Sequence, residues 1–280
     1  MISGTSTRIS AEIARQSAMS RDIAKLQEQV STGRKLTSPS EDPAGNAQLG
    51  TIRRSQADDA AFAVNTDAAA ATATRADSAM FSLSTALDRV RELAVAARSA
   101  TYSEGDRRIA AAELRSIADD ITQMAAQKDS RGQPLFPEGN PLAIPIGEGM
   151  QVTATVSRAQ LFGSGDAGLA GIVSAAADAL ELTDADARSA ATATSLDAIT
   201  AESDRVAQVH GEHGVRAARI DARREALSDR AITLTDERTA IEGADVSAAI
   251  ALITAKLNTL EAAQSVFARL NRQNLFDILG

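Results

Sequence analysis

The sequence predicts a mainly α protein: long antiparallel helices forming a rod-like bundle, with coiled-coil helices at both termini and one small β-hairpin excursion. Three observations carry this. First, the closing stretch reads Val246, Ile250, Ile253, Leu257, Leu260, Gln264, Phe267. Its steps alternate four and three, a 3.5-residue period that lays one helix along another. Second, the first thirty residues carry a matching pattern, with Ile2, Ile9, Ile23 and Val30 separated by multiples of seven and Ile13 and Leu26 beside them. Third, the chain is rich in Ala, Leu, Arg and Glu and holds only 6 prolines, a composition that favours long helices.

Bulk properties narrow the function classes. Aromatics are 2% of the residues, which argues against a base-stacking nucleic-acid site. The net charge of −8 disfavours binding to DNA or an anionic membrane. With no cysteine there is neither a disulfide framework nor thiolate chemistry. No run of about eighteen apolar residues is present, so no membrane span is expected. The N-terminus lacks the charged-then-apolar pattern of a cleaved signal.

Taken in order, residues 5–30 read as a helix stopped at Ser31-Thr32-Gly33, with Gly33 suited to a left-handed cap. Residues 33–45 read as a loop, because Pro39 and Pro43 oppose helix at the positions before them. Ser40 or Asp42 is expected to cap the next helix, with Pro43 at its first position. Residues 44–100 read as one long helix, with a seam of Met80, Leu83, Leu87, Val90, Ala94 and Ala97. Gly105 is expected to cap or turn. Leu114, Ile117, Ile121 and Met124 mark a third helix.

Between 129 and 166 the helical period is lost among Pro134, Pro137, Pro141, Pro145 and several glycines. Leu142, Ile144 and Ile146 alternate, as do Val152, Ala154 and Val156, on either side of Gly147-Glu-Gly149. That pattern predicts a hairpin near 140–160, which must pack on the helices to persist. Helical pattern returns near Ala167. Its strongest line is Ile199, Val206, His213, Ile220, Leu227 and Leu234, seven apart. Gly211 and Gly214 suggest a close helix crossing there, and Gly243 a loosened joint before Asp245 opens the last helix. The segments expected are 1–43, a pairing helix and loop; 44–235, a helical body; and 236–280, the second pairing helix.

Candidate chemistry is sparse. His210 and His213 with Glu212 resemble a partial metal site, but a third ligand at suitable spacing is missing, and a hydrogen-bonded core histidine is the better reading. Asp58-Asp59 and Asp119-Asp120 are helix neighbours pointing about 100° apart, so they do not converge as an acid and base and are read as solvated. No Ser-His-Asp arrangement is present. A phosphate-binding reading of the 33–45 loop fails on glycine and lysine spacing. The sequence therefore indicates no enzyme and no cofactor.

Several segments together resemble the bacterial flagellin superfamily over nearly the whole chain. Ser6-Thr-Arg-Ile-Ser10 is similar to that family's N-termini. Ser31-Thr-Gly-Arg-Lys-Leu-Thr-Ser-Pro-Ser-Glu-Asp-Pro-Ala44 resembles its N-terminal loop, with Glu41 for Asp and Arg34-Lys35 in exchanged order. Arg89-Val-Arg-Glu-Leu-Ala-Val95, Gly214-Val-Arg-Ala-Ala-Arg219 and Ile241-Glu-Gly-Ala-Asp245 resemble further shared segments, Gly243 standing where Asp is usual. Leu275-Phe-Asp-Ile-Leu279 and Leu135-Phe136 lean to the hook–filament junction branch over the filament subunits.

The resemblance implies a secreted structural subunit that leaves through the flagellar type III export channel and self-assembles helically to join hook to filament. The alternative is a flagellin that forms the filament itself. It implies partners in copies of itself, in neighbouring hook-associated proteins or flagellin, and in an export chaperone, with no nucleic acid or membrane. The expected assembly seam is Ile9, Ile13, Ile23, Leu26, Val30, Val246, Ile250, Ile253, Leu257, Leu260 and Phe267. The expected inter-subunit loop residues are Arg34, Lys35, Glu41 and Asp42.

Overall fold

The computed structural model describes residues 2–279 apart from 37, 100, 101, 130, 166 and 167; the side chains of 2–6, 8 and 270–279 also lie outside the description, and with them the closing motif 275–279. The described chain runs α1 (Ile2–Thr32), α2 (Pro43–Ala96), α3 (Glu104–Ala125), β1 (Ala143–Gly147), β2 (Met150–Thr153), α4 (Arg158–Phe162), α5 (Leu169–Leu180), α6 (Ala185–Glu242) and α7 (Val246–Leu279). It divides into two units, residues 58–230 and residues 1–57 with 231–280. The fold is mainly α with one small antiparallel sheet.

In the unit 58–230, two heptad lines meet. On α2, Asp59, Thr66, Ala73, Met80, Leu87 and Ala94 are buried at seven-residue intervals, with Ala69, Ala76, Leu83 and Val90 interleaved. On α6, Thr192, Ile199, Val206, His213, Ile220 and Leu227 are buried at the same interval. The two helices run antiparallel. Asp77 bonds His210, the Ala73 carbonyl accepts from His213, Asp67 pairs with Arg224, and Asp59 with Arg230. Asp59 is therefore a buried ion pair at 2.7 Å rather than a solvated carboxylate, because it falls on the seam that Ala73 and Met80 continue. Asp58, Asp119 and Asp120 are exposed, as expected.

The main core gathers α2 beyond Ala76, α3, α5, Ile199 and Val206, with Leu135, Phe136, Val156, Leu161 and Phe162 from the connecting segment. The rings of Phe136 and Phe162 meet edge to face at 5.3 Å, so two of the chain's few aromatics fill one place. Short α4 was not visible as a period. Ser157 starts it through a capping box with Gln160. The helical pattern that returns near Ala167 forms two helices, α5 and α6. Asp184 accepts the Ala187 N–H at 2.7 Å and caps α6 afresh.

Strands β1 and β2 form the expected hairpin, with Ile144 opposite Val152, a bulge between Pro145 and Gly147, and Gly149 at positive φ in the turn. Ile146, Val152 and Ala154 pack on Ala69, Ala73 and Ile220. Asn65 on α2 and Arg223 on α6 donate to the Pro145 and Ile146 carbonyls. Two glycine expectations fail here. Gly105 lies inside the first turn of α3, whose cap is Ser103 with Asp106. Space is open around Gly211 and Gly214, so neither glycine makes room for a close crossing; α2 passes on the other side, at His210 and His213.

Phe136→Ala is expected to cost about 3–5 kcal/mol, read from urea unfolding, since the ring is fully buried. Phe81→Ala, at a ring 67% exposed on α2, should stay within about 0.5 kcal/mol.

Candidate functional site

The candidate site is the second unit, in which α1 and α7 pair and are joined to the loop after α1. Gly33 at φ +68 closes α1, its N–H reaching the Gln29 carbonyl at 2.9 Å. The chain then makes a single antiparallel bridge, Arg34 to Gly243. The Lys35 N–H donates to the Glu242 carbonyl at 2.8 Å, and the Ala244 N–H donates to the Gly33 carbonyl at 2.9 Å. The Gln29 amide donates to the Lys35 carbonyl at 2.9 Å. Asp42 then caps α2 by accepting the Gly45 N–H, with Pro43 at the first position as expected.

Glu242 is the buried carboxylate of this joint. Arg238 donates to it at 2.6 Å and Arg53 at 3.2 Å, and Arg34 stands 3.7 Å away. Burial pushes the Glu242 carboxyl up, but the hydrogen bond and charge of Arg238, with Arg34 and Arg53, outweigh it and hold the group below the ordinary glutamate value. Nothing in the periodicity marks Glu242, Arg53 or Arg238. The one signal was the Ile241–Asp245 joint itself.

Gly243 does not loosen that joint. A Cβ there would stand 2.4 Å from the Thr239 carbonyl oxygen, so this close turn of the backbone needs glycine. Asp245 accepts the Ala248 N–H at 2.9 Å and starts α7 as its cap.

Along the paired helices one row of less exposed residues on α1 is Ile9, Glu12, Gln16, Met19, Ile23, Leu26 and Val30, with Gln29 beside it; that on α7 is Ala249, Ile253, Lys256, Leu260, Ala263 and Phe267. Both rows step by three and four. Lys256 donates to Asp22 at 2.7 Å across the pair. Of the expected seam, Ile9, Ile23, Leu26, Val30, Ile253, Leu260 and Phe267 fall on these rows. Ile13, Val246, Ile250 and Leu257 do not: they are exposed, by 53% at Ile13, 50% at Ile250 and 43% at Leu257. A 3.5-residue period fits two adjacent rows of one helix, and the sequence line stepped between them.

Of the loop residues, Arg34 faces Glu242, Glu41 pairs with Lys25 at 2.6 Å, and Asp42 is spent as a helix cap. Lys35 is tied through its backbone, with its side chain exposed.

Against expectation, among the described residues one helix, Val246–Arg269, is long and apolar enough to cross a membrane by length and composition. Its alanines and small residues supply the apolar character without an uninterrupted run of large side chains. His213 is fully buried, its Nε2 donating to the Ala73 carbonyl at 2.9 Å. Among the described residues no cluster of three or more His, Cys, Asp or Glu side chains could hold a metal.

Two outcomes follow from these geometries. Burial holds His213 below the ordinary histidine value, with Asp77 and His210 raising and lowering it from α2 and α6 and Arg216 lowering it further. The unfolded chain then binds the extra proton. Stability from this group is complete above about pH 6.5 and is lost as pH falls below it, by at most about 1.4 kcal/mol per pH unit. Denaturation midpoints measured between pH 7.5 and 5 should show this slope, and His213→Gln should flatten it. Gly243→Ala should lower stability by about 1–3 kcal/mol, because the Thr239 carbonyl must move. Thermal melting reads this directly.

Residues 5–140 match the bacterial flagellin N-terminal helical region. Over 112 residues the chain is 31% identical to flagellar hook-associated protein 3 of Salmonella typhimurium and 27% identical to that of Escherichia coli. Each alignment covers 40% of this chain and 35% of the relative, so the match spans about a third of those proteins' length. A structure from Vibrio parahaemolyticus, described as flagellar hook-associated, superposes with a TM-score of 0.65 at 19% identity, over 72% of this chain and 99% of that one. Xanthomonas campestris FlgL superposes at 0.51 and 15% identity, over 62% and 93%. These two likenesses concern the fold. Over residues 5–140, just under half of its length, the chain is similar to the N-terminal helical region of bacterial flagellins.

Proposed function

We propose that this chain is a secreted structural subunit of the bacterial flagellum that joins hook to filament, and that it acts by packing and carries out no catalysis. The observation that carries the reading is the apolar row of α7, Val246, Ile250 and Leu257, which the partner helix α1 leaves exposed. Apolar side chains at helical spacing on a solvent face are costly unless a neighbour covers them. The names of the sequence relatives supply the setting, since both are flagellar hook-associated proteins.

In this reading the segments 1–43 and 236–280 are pairing elements and 44–235 is the body. Ile9, Ile23, Leu26, Val30, Ile253, Leu260 and Phe267 hold the pair together. Ile13, Val246, Ile250 and Leu257 meet neighbouring subunits. The neighbours are copies of this chain and other hook-associated proteins or flagellin, and an export chaperone covers the apolar row before assembly. Arg34, Lys35, Glu41 and Asp42 lie at a subunit contact.

Leu257→Asp tests the reading. The site is exposed, so the variant should keep the parent's helicity and melting temperature. In a strain lacking the natural protein it should fail to support filament growth on completed hooks, because a carboxylate in an apolar contact costs several kcal/mol, on the order of 2–7. Electron microscopy counts the filaments. Wild-type filament numbers from the variant would remove α7 from the assembly surface. A copy number in the thousands per flagellum would favour a filament subunit.

A further inference from the structure

The charge of this protein is divided unevenly between its two units. Residues 58–230 hold 26 Asp and Glu against 17 Lys and Arg. The terminal unit holds 11 against 12. The whole negative excess thus lies in the body, while the terminal unit is close to neutral.

Within that terminal unit positive charge is concentrated at the joint. Arg34, Arg53 and Arg238 surround the single carboxylate of Glu242. One carboxylate offsets one guanidinium, which leaves a surplus of two charges before Lys35 is added. Arg34 and Arg53 remain about half exposed, and Arg34 stands at 3.7 Å, beyond hydrogen-bond reach of Glu242. Each guanidinium carries five N–H donors, and among the described residues of this cluster most of them have no acceptor. The nearby acids are committed elsewhere, Glu41 to Lys25 and Asp42 and Asp245 to helix caps.

From this we infer that the Arg34, Lys35 and Arg53 surface is a docking site for the acidic 58–230 body of a second copy of the chain. The inference rests on the structural reading above and deepens it by naming which surfaces of two copies meet. The chain supplies both halves of the complementarity. Exposed carboxylates on the body include Asp119 and Asp120 on α3 and Asp197, Asp204, Asp221 and Glu225 on α6. A contact between two different surfaces is heterologous: it can be repeated from copy to copy, whereas a two-fold contact closes on itself. It also differs in kind from the apolar contact of α7. It is weakened by salt, because exposed charges are screened beyond about 8–10 Å at physiological ionic strength, whereas the apolar contact is not.

Zero-length carbodiimide coupling of the full-length protein tests this. The reagent joins a lysine amine to a carboxylate in contact with it. Equal amounts of isotope-labelled and unlabelled chain are mixed at high concentration and low salt, coupled, digested and read by mass spectrometry. The expected result is mixed-label peptides joining Lys35 to carboxylates within 58–230, lost at about 0.5 M salt. Lys35 coupled only to its own terminal unit, or a chain that stays uncoupled, overturns the inference.

Lys35→Glu with Arg34→Ala should abolish salt-dependent association in sedimentation. Arg53 and Arg238 still hold Glu242 in that variant, and unchanged melting would verify its fold. Leu257→Asp separates the two ideas. If it abolishes association while the Arg34/Lys35 variant associates with the parent's salt dependence, the docking inference fails and the structural reading stands. If Leu257→Asp supports wild-type filaments while the Lys35 couplings form, the docking stands and the role given to α7 fails.

Discussion

The unit 58–230 hangs on one residue in seven along α6. Ile199, Val206, His213, Ile220 and Leu227 are each almost wholly withdrawn from water, and each meets a helix, α2, whose own buried positions recur at the same interval. A straight helix drifts about 20° per heptad from a strict seven-residue repeat, so holding that repeat keeps the two seams in register along their length. Core elements attach to this pair. The hairpin sits on Ala69, Ala73 and Ile220, and α3 and α5 extend the core from Met80 onward. Where the line meets polar residues each has a specific partner: Asp59 pairs with Arg230, Thr66 bonds the carbonyl of Phe62, and the Nε2 of His213 bonds that of Ala73.

The terminal unit obeys a different constraint. Its helices are apolar on more than one row, and their joint is fixed by backbone bonds and by one buried carboxylate among arginines. Such an ion cluster adds modest stability while specifying geometry, since an unpaired Glu242 would be costly. Hydrophobic pairing along α1 and α7 is non-directional and tolerates slippage. The bridge between Arg34 and Gly243 does not, and α1 ends at it while α7 starts from it.

How much of this was legible in the sequence depended on the kind of signal. Long periodic helices were plain, because Met80–Ala97 and Ile199–Leu234 repeat one rule many times. The hairpin showed through Ile144, Ile146 and Val152 around glycine. Single residues whose meaning lies in a distant neighbour were not legible. Asp59 looked like its neighbour Asp58 until Arg230, far along the chain, came beside it. Gly243 looked like a weak point because a glycine's permissiveness is local, whereas the crowding by Thr239 appears only once the helix has ended. Glu242 carried no pattern, since its arginines come from three separate segments. On α7 the correct period was visible, but period alone does not say which of two adjacent rows faces α1.

The joint between Arg34 and Gly243 also sets an order of events. Its halves are separated by about two hundred residues of chain, and closing a loop of that length from a disordered state is entropically unfavourable. The antiparallel pairing of α2 with α6, which reaches Asp59 and Arg230, shortens the effective loop to about 25 residues on one side and about 13 on the other. The bridge can therefore form cheaply only after those helices have met. Folding should run from the middle of the sequence outward, with α1 and α7 the last to settle and the first to release. Amide exchange should rank the helices in that order, and the least protected are those that the chain begins and ends with.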